Sequence, residues 1–146
     1  MRKLETPHLS ADIIIELLDH PSRPIVLIER KNPPHGWAIP GGFVDIGERI
    51  ETGARREALE ETGLAVKLIA LLGLYSNPNR DPRFHTATAV YVAEAHGSPV
   101  AADDAKDFRV VSVDNLPENL AFDHSLVLSD YLTFRQTGRV APLCED

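Results

Sequence analysis

Several things are scarce in this sequence, and each scarcity excludes something. There is a single cysteine, Cys144, so no intramolecular disulfide can form, which suits a reducing compartment. Basic residues are the minority, 15 Lys and Arg against 22 Asp and Glu, for a formal net charge of −7. That balance argues against nonspecific duplex nucleic-acid binding, which depends on cationic side chains neutralising phosphates. A small anionic substrate stays open, because bound metal ions can invert the local field. No apolar run approaches membrane-spanning length, and Glu5, His8 and Asp12 break up the start where a secretory h-region would lie. Six histidines show no ligand spacing, so they are expected as surface or packing residues rather than zinc ligands. Repeats, linkers and low-complexity segments are absent. The expectation is a cytoplasmic protein with no membrane partner, and residues 1–146 form one domain of common size.

What the chain does have is concentrated in residues 40–64, PGGFVDIGERIETGARREALEETGL. Helical geometry, at about 100° per residue, puts Glu60 and Glu61 about 60° to one side and about 40° to the other of Glu57. Three carboxylates then share one stripe, where each like-charge pair opposes the helix by about 0.2–0.5 kcal/mol. Compensation is needed, and Arg56 and hard divalent cations, which prefer oxygen ligands, are the candidates. Five residues separate Gly42 from Glu48, and seven more precede Arg56. With Glu57, Glu60, Glu61, Gly63 and Leu64 following at fixed positions, the stretch resembles a Nudix box. The alternative is an acidic, solvated helix.

Along the chain, residues 11–18 read as a nearly continuous apolar strand, buried on both faces, with residues 24–29 as its hairpin partner. Residues 37–40 form a short strand that delivers the chain to Gly41 and Gly42, where close backbone approach or positive φ is expected. Phe43 and Val44 are expected to re-enter the core. The box helix is predicted over residues 50–62, with a poor N-cap at Arg49 and Gly63 as its left-handed cap. Gly53 is costly inside a helix and is expected where packing is close. Residues 64–75 read as a long strand or bent pair, residues 76–83 as a turn-rich loop with Arg80 and Arg83, and residues 85–95 as another strand. An acidic loop over residues 98–107 precedes a last strand at 108–113. Residues 122–135 read as an amphipathic helix, with Leu126, Leu128, Tyr131 and Leu132 among its apolar positions. Strands on either side of one helix, then a terminal helix, imply an α/β fold with a mixed sheet between helices. The Nudix resemblance implies the same α/β/α sandwich.

The resemblance also implies hydrolysis of a nucleoside diphosphate linked to another group, with Mg²⁺ or Mn²⁺ as cofactor. Glu57 and Glu61 are the principal expected metal ligands, followed by Glu60, with Gly41 contributing by position its backbone carbonyl. Arg56 is expected to pair with Glu48 and hold it beside the metal site. The segments PGGFVDIGE, SNPNRDPRFHT and ADDAKDF…LAFDH resemble the ADP-ribose pyrophosphatase-like branch. That branch implies cleavage of ADP-ribose to AMP and ribose 5-phosphate. Arg80 and Arg83 are then candidate phosphate or ribose donors, against the alternative that they stabilise an exposed loop. Gly42 joins them as a candidate substrate contact. A metal-bound carboxylate is a poor base, so Asp104, in the acidic cluster with Asp103 and Asp107, is the candidate general base, with Glu60 as the alternative. Two further readings stay open: a nucleoside triphosphate pyrophosphohydrolase, and a non-catalytic Nudix sensor. A homodimer is compatible with the sequence.

Overall fold

The computed structural model describes residues 3–100 and 107–145. Its strands are β1 (His8–Leu17), β2 (Ile25–Glu29), β3 (Trp37–Ala38), β4 (Gly41–Phe43), β5 (Lys67–Tyr75), β6 (Thr86–Ala95) and β7 (Asp107–Val111). The helices are α1 (Ile50–Thr62) and α2 (His124–Thr137). Among the described residues the strands make one mixed sheet in the order β3-β2-β1-β6-β5, with β4 also on β1 and β7 on β2. The β1–β6 pair is parallel and the other pairs are antiparallel. This is the expected α/β/α sandwich.

Strand β1 runs through the centre and is buried from Ser10 to Leu17, as its unbroken apolar pattern predicts. Side-chain alternation splits it between two cores. Ala11, Ile13, Ile15 and Leu17 pack with Ala54 and Ala58 of α1. Ile14 packs on the other face with Val127, Leu128 and Tyr131 of α2. Asp12 and Glu16, in phase with Ile14, find partners on α2: His124 lies 3.1 Å from Asp12, and the Tyr131 hydroxyl donates to Glu16 at 2.6 Å.

Helix α1 has the expected bounds. Arg49 makes no side-chain cap, and Gly63 closes the helix at φ 72° with its N–H donating to Leu59 O. Three expectations need correction. Strand β1 starts at His8 rather than at residue 11, because pairing with Thr86 and its neighbours on β6 extends it. Phe43 stays 38% exposed rather than entering the core, since its ring packs with His8 and Phe84 at the rim. On α2, Leu126 is exposed, and the buried positions are His124, Val127, Leu128 and Tyr131. Strand β5 is the long strand expected there; it lies at a sheet edge with Ile69, Leu71 and Leu74 exposed, and two register shifts against β6 bend it. No helix among the described residues is long and apolar enough to cross a membrane.

Candidate active site

One end of the sheet opens into a cavity of about 670 Å³ lined by β1, β4, α1, the loop after β5 and the start of α2. Helix α1 supplies the acidic wall, with Glu57, Glu60 and Glu61 all facing the cavity as their spacing predicts. Two glycines let the helix come this close to β4. A Cβ on Gly42 would fall within 2.6 Å of a Glu57 carboxylate oxygen, and one on Gly41 would overlap Asp12 and the Ala11 carbonyl. Neither glycine has positive φ, because both are paired to β1 as strand residues. Close approach is therefore the whole reason for the pair. Gly53 is explained similarly: a side chain there would meet Glu48 Oε1 at 2.8 Å.

Arg56 meets the expectation and exceeds it. Its Nε and one terminal nitrogen grip both Glu48 oxygens at 2.8 and 2.9 Å. The other nitrogen donates to Glu57 at 2.8 Å and Glu60 at 3.3 Å, while the Phe43 carbonyl accepts at 3.1 Å. Such a bidentate, charge-assisted clasp is strong and directional. It holds the Glu48 carboxyl at about 2, and the Asp45 N–H adds to the effect.

Glu57 and Glu61 behave differently. Burial raises the Glu57 pKa despite Arg56. Burial, and then the charge of Glu57, pushes Glu61 up to about 8; the Gly41 N–H at 3.4 Å offsets this only in part. Two half-buried carboxyls thus line one wall with their charge only partly offset by Arg56 and the Gly41 N–H, and every donor is a hard oxygen. That set fits Mg²⁺ or Mn²⁺. Among the described residues no group of three or more His, Cys, Asp or Glu side chains is already gathered to hold a metal ion.

The opposite wall holds the two candidate donor arginines, each with a carboxylate partner of its own. Arg80 is buried and pairs with both oxygens of Asp123 at 2.9 and 2.7 Å, with its third nitrogen donating to Thr88. Arg83 is held by both oxygens of Asp81, at 3.0 and 2.8 Å, and its guanidinium lies over the rings of Phe43, Phe84 and Phe122. Both arginines line the cavity, each already ion-paired. Asp103 and Asp104 lie outside the described residues. Asp107 opens β7 opposite Glu29 and is exposed.

Asp12, Arg30 and His124 also line the cavity, and none was singled out as functional from the sequence. The Ile39 N–H donates to His124 Nδ1 at 3.1 Å, so Nε2 carries the proton and donates to Asp12. A carboxylate inside the apolar β1 run was the available signal for Asp12.

An α/β/α sandwich with a carboxylate helix on the wall of such a cavity defines a class, that of hydrolases acting on diphosphate bonds. The NUDIX domain profile matches residues 6–131, and the chain belongs to the Nudix family. It is 43% identical over 132 residues to a Methanocaldococcus jannaschii protein named ADP-ribose pyrophosphatase, covering 88% of this chain and 75% of that one. It is 32% identical over 127 residues to the ADPR responsive transcriptional repressor NtrR of Acinetobacter baylyi, covering 82% of this chain and 50% of the repressor. Among solved structures, a Francisella tularensis bifunctional NMN adenylyltransferase/ADP ribose pyrophosphatase complexed with AMP and Mn ion superposes with a TM-score of 0.75. That pair is 25% identical and covers 90% of this chain and 43% of the other. The chain thus spans half or less of these last two proteins.

Proposed function

We propose that this Nudix hydrolase cleaves ADP-ribose, adding water across the diphosphate to give AMP and ribose 5-phosphate. The observation that carries the reading is the half-buried, under-neutralised pair Glu57 and Glu61 on the cavity wall. The archaeal relative's name and the AMP and Mn ion in the Francisella neighbour support the substrate and the cation. Glu57, Glu61, Glu60 and the Gly41 carbonyl would hold Mg²⁺ or Mn²⁺. Such a cation supplies neutralisation of phosphate oxygens and activation of water.

The chain's own residues do the rest. Arg56 fixes the rotamer of Glu57 and keeps Glu48 ionised beside it. Gly42 leaves room for Glu57 and for a phosphate to approach the β4 backbone. The face of Arg83 among its phenylalanines serves as a substrate contact, and Arg80 holds Asp123 and Thr88 in place around it. Asp104 takes the proton of the attacking water, with Glu60, 57% exposed at its side chain, as the alternative base. A cytoplasmic setting and a nucleotide-sugar partner belong to the same proposal.

A substrate panel at fixed Mg²⁺, with products resolved by chromatography, tests this reading. ADP-ribose should show a higher kcat/KM than any common nucleoside triphosphate. The reverse ranking would assign the protein to triphosphate pyrophosphohydrolysis. The repressor relative gives a second reading, a domain that binds ADP-ribose without turnover. Tight binding with no product formed would favour it.

A further inference from the structure

Ile39 and Pro40 join β3 to β4 and deliver Gly41, the residue whose carbonyl would serve the cation. Few hydrogen bonds hold this connection, because Pro40 has no N–H. The Pro40 carbonyl accepts from the Ile13 N–H of β1 at 2.8 Å. The Gly41 N–H reaches Glu61 of α1 only at 3.4 Å, a long contact. The remaining donor is the N–H of buried Ile39, which bonds Nδ1 of His124 at 3.1 Å. A buried N–H needs a partner, and here the partner is a side chain 85 residues away on α2 rather than a neighbouring strand.

His124 is 2% exposed, and both of its ring nitrogens are engaged. Phe122, at φ 55°, turns the chain into α2, so that Asp123 reaches Arg80 while His124 reaches Ile39. On its other side the ring meets Asp12, with Nε2 donating to Oδ2 at 3.1 Å. Asp12 lies opposite Gly41 in the β1–β4 ladder, and its Oδ1 occupies the space that a side chain on Gly41 would fill. One imidazole therefore holds both backbone segments that flank Gly41: β1 through Asp12, and the β3–β4 connection through Ile39.

We infer that His124 is a positioning residue for the cation site: by holding the Ile39 N–H it fixes where the Gly41 carbonyl points, and Asp12 selects the ring tautomer that can do so. A carboxylate accepting from Nε2–H leaves Nδ1 unprotonated, and only an unprotonated Nδ1 can accept from a backbone N–H. The histidine itself touches neither cation nor substrate and acts through the backbone. The inference rests on the Gly41 carbonyl serving the cation, but not on ADP-ribose being the molecule split.

The two ring nitrogens can be tested separately. An asparagine amide oxygen can stand in for Nδ1 as acceptor, and a glutamine amide nitrogen for Nε2 as donor. Mn²⁺ titration of the full chain without substrate, with the free ion counted by electron paramagnetic resonance, reads the site directly. His124→Gln should weaken Mn²⁺ binding by about 10- to 100-fold, the range for losing an outer partner of a metal site. His124→Asn, which keeps an acceptor for Ile39, should recover most of that loss. With ADP-ribose, His124→Gln should turn over slowly at limiting Mn²⁺ and regain kcat in excess Mn²⁺, a rescue that damage to the fold alone would not allow. Unchanged Mn²⁺ affinity in His124→Gln, a loss in His124→Asn as large as in His124→Gln, or a wild type that takes up no Mn²⁺ would each overturn the inference. Nitrogen NMR of the wild-type ring needs no variant: Nε2 should carry the proton, and the reverse tautomer would also overturn it. If Mn²⁺ binding follows His124 in this way but ADP-ribose is not hydrolysed, the proposed reaction fails and the role of His124 stands.

Discussion

The two walls of the cavity are built in contrasting ways. The acidic wall comes from one helix: Glu57, Glu60 and Glu61 share a face of α1, and Arg56, from the same helix, ties two of them to Glu48. The opposite wall is assembled from distant segments. Asp12 on β1 meets His124 on α2, and Arg80 in the loop after β5 meets Asp123 just before α2. On the first wall charge is left unbalanced, so Glu61 is pushed up to about 8. On the second, Arg80 and Arg83 are each matched by an aspartate. Unbalanced charge marks where a ligand must complete the site; balanced charge marks what holds the site in shape.

The contrast makes substitutions on the acidic wall act on turnover. Glu61→Gln should lower kcat by about three orders of magnitude or more, as removal of a metal-holding carboxylate would. The Tm should hold or rise, because one of several crowded charges is gone. Wild-type turnover in this variant would break the comparison at its strongest point. Asp104→Asn should lower kcat by about 10²- to 10⁴-fold, the range for a general base, with the loss shrinking at higher pH. Metal affinity should be unchanged; a collapse in a metal titration would make Asp104 a ligand instead.

On the matched wall, stability should fall first. Arg80→Met leaves the Asp123 carboxylate without its partner, and breaking a buried pair from one side costs about 3–5 kcal/mol. Denaturant unfolding would show it as a lower midpoint. A large loss of kcat with unchanged stability would instead make Arg80 a substrate contact.

The smallest effect concerns pH and Arg56. The Glu48 carboxyl sits at about 2, below its ordinary 4.5. Its contribution is therefore whole above about pH 4.5 and is lost as the pH falls toward 2. Arg56→Gln removes that contribution, so the variant should melt below the wild type at pH 7, with the two curves converging near pH 2. A Tm difference that stays constant over this range, followed by circular dichroism, would remove Glu48 from the account.

Much of this was legible in the amino-acid order, and the misses have physical causes. The bounds of α1 followed from the box and its Gly63 cap, and the buried β1 from its isoleucines. Phe43 was misplaced because a strand residue at a rim can pack edge-on with His8 and Phe84 and remain exposed. Leu126 was misplaced because α2 turns the face of His124, Val127 and Tyr131 inward, and those positions also satisfy a helical period. His124 is a packing residue as expected, but its bond to Asp12 joins α2 to β1, which ligand spacing along the chain does not register.

By itself, the sequence determined the box helix and its carboxylate stripe, because helical geometry relates residues no more than four apart. It determined the Arg56 clasp almost as directly, since Glu48 lies eight residues away. Only the tertiary structure decided which arginine is spoken for. Arg80 and Asp123 are 43 residues apart, and Asp12 and His124 are 112 apart. A guanidinium binds whichever carboxylate the fold brings within about 3 Å, and no local pattern records that distance.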